Sequence, residues 1–144
     1  MGLSSQISAQ ELSDGLNGTT ITYTYTGGWK FTAKYTEDGV SYRMHNYNTD
    51  WTKPYPYKAF LIDKNVYFTS WYDTGRDEYV THLIDLNKKR LHGSVLLGKE
   101  KVHFESAEIN EIKHWTLEIW ATIKQLFRVH VQKSNLLSRV ANLG

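Results

Sequence analysis

The chain has 144 residues, no cysteine and a formal net charge of only +2, which excludes a disulfide framework, a thiolate nucleophile and a cysteine-ligated zinc centre. Its densest basic run, Lys88 to Arg90, falls where a turn is expected, so no charged stripe for nucleic acid is present. No apolar run is long enough to cross a bilayer, and no basic start leads into an apolar stretch, so a soluble, cytoplasmic protein without a membrane partner is expected.

Ser8 to Glu11 has capping-box spacing and Gly15 supplies a stop, which predicts a short helical lead-in over residues 1–17. From Gly18 the hydrophobic period changes to two. Strands are predicted near 19–26, 29–36, 40–46, 56–62, 65–72, 78–85, 90–97 and 101–111, separated by turn chemistry such as Gly27-Gly28, Glu37-Asp38-Gly39 and Asp63-Lys64-Asn65. Within 115–132, Trp115, Leu117, Ile119, Ala121, Ile123, Phe127, Val129 and Val131 share one parity, which reads as two more strands. The four-residue recurrence of Trp115, Ile119, Ile123 and Phe127 is the helical alternative. A short helix from Ser134 completes the chain.

Strands recurring at this spacing form an antiparallel meander. Too little helix remains to cover an open sheet, so the expected fold is all-β: a closed, lipocalin-like barrel of about eight to ten strands over 18–133, within a single domain 1–144. Barrels of that size hold one small ligand. The late apolar segment, 113–144, could cover an end of the lumen or bury against a second subunit, which leaves a homodimer open.

Alternation also assigns faces. Ile21, Tyr23 and Tyr25 oppose a row of threonines; Trp29, Phe31, Ala33 and Tyr35 oppose Lys30, Thr32, Lys34 and Thr36; Val40, Tyr42 and Met44 oppose Ser41, Arg43 and His45. The interior thus receives Tyr23, Tyr25, Tyr35 and Tyr42. A buried hydroxyl without a partner costs about 1 to 3 kcal/mol, so gathered phenols must bond to one another, to water or to a ligand. His82, His92 and His103 lie on three successive strands and could face one another, but no metal is expected there, and no His-Glu-x-x-His, Gly-x-Ser-x-Gly or phosphate-binding glycine loop occurs.

The ordered series GTTITYTYTGGW (Gly18 to Trp29), Ser41-Tyr42-Arg43-Met44-His45, Val66-Tyr67, Ser70-Trp71, Thr74-Gly75-Arg76-Asp77 and Lys89-Arg90-Leu91-His92-Gly93 resembles the bacterial phenolic acid decarboxylases over about residues 18–93. Those enzymes group with the MoaF-like proteins among the calycin barrels. The resemblance implies a para-hydroxycinnamate substrate and no cofactor. It matches Tyr23 and Tyr25 to the family's tyrosine pair and Tyr42 to a further active-site tyrosine, and it puts Asp73 at the position of the catalytic glutamate. Loss of carbon dioxide from an alkenyl carbon first requires protonation of the alkene, hence an acid, donors that orient the carboxylate and a pocket of low dielectric. Two departures stand out: Asp50 replaces an arginine before the tryptophan matched by Trp51, and Asp73 runs into Thr74 where the family has glutamate followed by proline.

The sequence therefore points to a cofactor-independent carboxy-lyase for a small aromatic or conjugated acid. Tyr23, Tyr25, Tyr42 and Asp73 are its catalytic candidates, and Trp29, Trp71, Arg76 and His92 its substrate-binding ones. The alternative is a non-catalytic small-molecule carrier that has lost the decarboxylase chemistry.

Overall fold

The computed structural model describes residues 11–114 and 117–142. Eight antiparallel strands follow one another in the chain: β1 (Thr19–Tyr25), β2 (Lys30–Thr36), β3 (Gly39–Met44), β4 (Tyr57–Asp63), β5 (Val66–Asp73), β6 (Glu78–Asp85), β7 (Arg90–Leu97) and β8 (Lys101–His114). Each starts within one residue of its predicted start. Several turns carry the left-handed backbone their residues suggested, at Gly28, Asn65, Lys89 and Gly98.

The sheet runs in the order β3-β2-β1-β8-β7-β6-β5-β4, so the first strand pairs with the last and the meander curls into a barrel. Edge strands β3 and β4 share no ladder. Tyr55, just before β4, exchanges backbone hydrogen bonds with Val40 of β3 at 2.8 and 2.9 Å, and this bridge spans the gap. The free edge of β4 is partly covered by residues 12 and 13: Leu12 bridges Phe60, and the Ser13 amide donates to the Ala59 carbonyl at 2.8 Å. Unpaired edges invite pairing with other chains, and these two short contacts blunt both of them.

That N-terminal stretch corrects the predicted helical lead-in. Ser8 lies outside the described residues, and from Glu11 to Gly18 the chain forms a bridge followed by a turn. Pairing with the β4 edge satisfies its backbone groups, and Leu16 is fully buried. Ile21, Tyr35, Ile84, Leu91 and Ile109 fill the same end of the barrel, where β1, β6 and β7 contribute their inward side chains without exposure.

The second correction lies beyond β8. Helix α1 (Leu117–Ala141) occupies the segment predicted as two strands and a short tail helix. From Lys99 to Leu143 there is neither glycine nor proline, so a strand pair at 115–132 would have lacked a residue suited to its turn. The four-residue recurrence continues through this unbroken run instead. Ser134, read as a cap, sits inside the helix and its hydroxyl donates to the Val131 carbonyl at 2.9 Å. The chain divides into Met1–Lys113 and His114–Gly144, and no helix among the described residues is long and apolar enough to cross a membrane.

Candidate functional site

The barrel end away from Leu16 encloses a cavity of about 530 Å³. The last residues of β1, β3, β5 and β7 and the first residues of β2, β6 and β8 line it, because in an antiparallel barrel alternate strands end at the same rim. Aromatic rings form its inner wall. Tyr23 meets Tyr25 edge-on at 5.4 Å and stacks on Phe31 at 5.8 Å, and the His82 ring stands perpendicular to Trp71 at 4.9 Å.

His82 joins this wall from the middle of β6, on the inward parity it shares with Val80 and Ile84. Its Nε2 lies 2.9 Å from the Tyr25 hydroxyl. The pair fits because its neighbour on β7, in register with His82, is Gly93. A Cβ there would stand 2.9 Å from the Tyr25 hydroxyl and 3.3 Å from His82 Nε2. Gly93 is thus a matter of space rather than of backbone conformation.

Burial decides the protonation of this wall. Desolvation lowers the His82 imidazole to about 3, so it is neutral at physiological pH. Desolvation raises the Tyr23 phenol well above its usual value, reinforced by Tyr25, Tyr35 and Tyr42, and it raises Tyr25 with help from Glu105. The inner wall therefore offers neutral hydrogen-bonding groups and no fixed charge.

Asp73 sits behind that wall. It is fully buried at the end of β5, and it does not line the cavity. Its Oδ2 accepts from the Tyr42 hydroxyl, Tyr55 donates to the same carboxylate, and Oδ1 accepts from the amides of Gly75 at 2.8 Å and Arg76 at 3.0 Å. Burial alone would push the carboxyl up, but these donors together hold it below the usual value. The Asp-Thr-Gly turn is built around an ionised carboxylate, which pins Tyr42 against the cavity. Asp73→Asn keeps the shape and loses charge-assisted bonds, so it is expected to cost about 1.5 to 3 kcal/mol in urea unfolding.

The mouth is charged. Arg76 Nε pairs with Glu78 at 3.1 Å, and His103 Nε2 with Glu105 at 2.9 Å. Glu105 also accepts from the Gly27 amide and, at 3.1 Å, from Thr26, which ties the β1–β2 turn to β8. Lys101 lies on the same rim, and Trp29 packs beside Tyr47 across it.

Comparison with known families adds a decisive match: the model of the MoaF N-terminal domain covers residues 6–96, more than half of the chain. The chain belongs to the MoaF family. No curated protein matches it in sequence. Among solved structures it is similar to a crystal structure from Burkholderia vietnamiensis provisionally described as a beta-lactamase, with a TM-score of 0.58 and 16% identity over 69% of this chain and 94% of that one. At that identity the likeness is one of fold.

In this MoaF domain Tyr23, Tyr25, Tyr42, Trp29, Trp71 and Arg76 come together on one cavity. His92, read as substrate-binding, is corrected: it is exposed on the outer face, with Nδ1 2.8 Å from the Ser106 hydroxyl, because its register partner Leu83 alternates with inward His82. His82 and His103 line the cavity without it, and no metal-ligating trio forms among the described residues. Asp50 is exposed and off the cavity; Trp51 beside it lies under Lys34 and Arg43, at 5.3 and 5.5 Å. His82, considered only as a metal ligand in the sequence, is the residue that reading undervalued. Its inward parity with Val80 and Ile84 and the glycine in the next strand were the available signals.

Proposed function

We propose that this MoaF domain binds a small aromatic or conjugated carboxylic acid in the open end of its barrel. One observation carries the reading: a cavity of about 530 Å³ has an uncharged, ring-lined interior holding the hydroxyls of Tyr23 and Tyr25 and a mouth that holds Arg76, Lys101 and His103. The volume suits a single-ring ligand of the size such pockets enclose. Rings pack against a planar conjugated body, while phenol donors and rim cations meet a carboxylate without a full charge buried in the interior.

A second reading, decarboxylation of a para-hydroxycinnamate, is favoured by the presence of Tyr23, Tyr25 and Tyr42 on the same wall. Its difficulty is the acid. Asp73 is held ionised by four donors behind the wall, and the Tyr23 and Tyr25 phenols are held protonated by burial. Binding without turnover is the better account of these groups.

Calorimetry with coumaric and ferulic acids tests both readings, with the vinylphenol absorbance followed in parallel. Binding without vinylphenol is the expected result, and Tyr25→Phe is expected to weaken it about tenfold, the loss of one hydrogen bond of about 1.4 kcal/mol. Rapid vinylphenol formation would replace this reading with the lyase. Wild-type affinity retained in both Tyr23→Phe and Tyr25→Phe would remove the phenols from the site.

A further inference from the structure

A neutral imidazole carries one N–H, and where His82 carries it determines what the cavity can recognise. Its Nε2 is 2.9 Å from the Tyr25 hydroxyl, and its Nδ1 is buried with no hydrogen-bond partner among the described residues. With the proton on Nδ1, a donor would be orphaned in a ring of Trp71, Tyr23 and Tyr25, and the Tyr25 proton would be spent on Nε2. With the proton on Nε2, the orphan is only a lone pair. Buried donors without partners are the rarer kind in folded proteins. Tyr23 meets Tyr25 edge-on beside this pair, at 5.4 Å between rings. The Tyr25 oxygen then accepts from His82, and its own proton is left to turn toward the cavity that Tyr25 lines.

We propose that His82 is a positioning residue which, as the Nε2–H tautomer, donates to Tyr25 and turns the Tyr25 hydroxyl proton into the cavity, so that the site takes ligands through an acceptor oxygen. A carboxylate or conjugated carbonyl meets that requirement better than an alcohol oxygen, which is the weaker acceptor. The His82 donor onto the Tyr25 oxygen polarises its O–H and strengthens the bond it makes to such a ligand. Gly93 belongs to the device, since its missing side chain lets the two rings meet. The inference rests on the binding role proposed above, but the tautomer can be measured without a ligand.

The test has two arms. In ¹⁵N-histidine-labelled protein near neutral pH, His82 is expected to show a pyridine-type Nδ1 and a pyrrole-type, protonated Nε2. The reverse pattern would overturn the proposal, whatever the protein binds. In the second arm, para-hydroxycinnamic acid and the corresponding alcohol are titrated into wild type, His82→Gln and His82→Phe. Gln can present its amide N–H near the Nε2 position and is expected to keep affinity for the acid within about threefold, while Phe loses about tenfold. Affinity for the acid unchanged in His82→Phe would also overturn it. If neither probe binds wild type while the spectrum shows Nε2–H, the acid ligand is wrong and the tautomer stands.

Discussion

On acidification from pH 6.5 to about 4.5, the barrel is expected to lose about 2 kcal/mol of stability through His82 alone. The unfolded chain protonates this imidazole below about 6.5, whereas burial keeps the folded one neutral to about 3. Between those values the unfolded state binds more protons, so stability drops as pH is lowered, by about 1.4 kcal/mol per unit. About a unit above 6.5 the group contributes no pH dependence. The loss is not a salt-bridge effect, because desolvation is the cause and the ring packs among Trp71, Tyr23 and Tyr25 rather than against a carboxylate. Urea unfolding at a series of pH values measures it. His82→Gln should flatten the curve over that window; an unchanged slope would mean that the ring opens to water before it titrates. Asp73 acts in a lower window. Its carboxyl is depressed, so its contribution is present above the unfolded value of 3.8 and is lost as pH falls through the folded one.

Gly39→Val is expected to cost about 3 kcal/mol or more and to open the barrel along β3. Gly39 combines a φ of +136°, which L side chains rarely adopt, with close backbone approach: a Cβ there would stand 2.3 Å from the Tyr55 carbonyl oxygen and 3.0 Å from the Pro56 nitrogen. Those atoms are backbone and cannot rotate aside. They flank the Val40–Tyr55 bridge, which with the Thr52–Tyr42 hydrogen bonds ties β3 to the segment entering β4. A denaturant series gives the stability loss, and hydrogen exchange should show the Val40 and Tyr55 amides losing protection before those of β6 and β7. Gly98→Ala separates strain from collision. Gly98 has a φ of +60° and nothing within 4 Å of a built Cβ, so about 1 kcal/mol is expected there. Equal costs at the two sites would show that the Tyr55 contact is not what makes Gly39 necessary.

Both experiments bear on the cavity. The acid response reads the ring that meets Tyr25, and the Gly39 substitution loosens β3, which carries Tyr42 and its link to Asp73. Ligand affinity measured alongside stability would tell whether the wall holds its shape when the seam is strained.

The period of two from Gly18 to Lys101 determined by itself the strands, their order in a meander and which tyrosines look inward, because in a strand adjacent to its sequence neighbour the pleat alone assigns faces. It also placed Tyr23, Tyr25 and Tyr42 on a common lining. Tertiary structure decided what depends on strands distant in the chain. Tyr25 on β1 and His82 on β6 are 57 residues apart, and only closure of β1 onto β8 puts them on one wall, so no local pattern announces the pair. The same holds for Asp73: its turn motif is visible in the sequence, but its carboxylate is held low by Tyr42 and Tyr55, which reach it from β3 and the bridging segment. The late helix was misread for a different reason. Residues 115–132 satisfy both periods, and local alternation cannot choose between strand and helix where no turn residue interrupts the run.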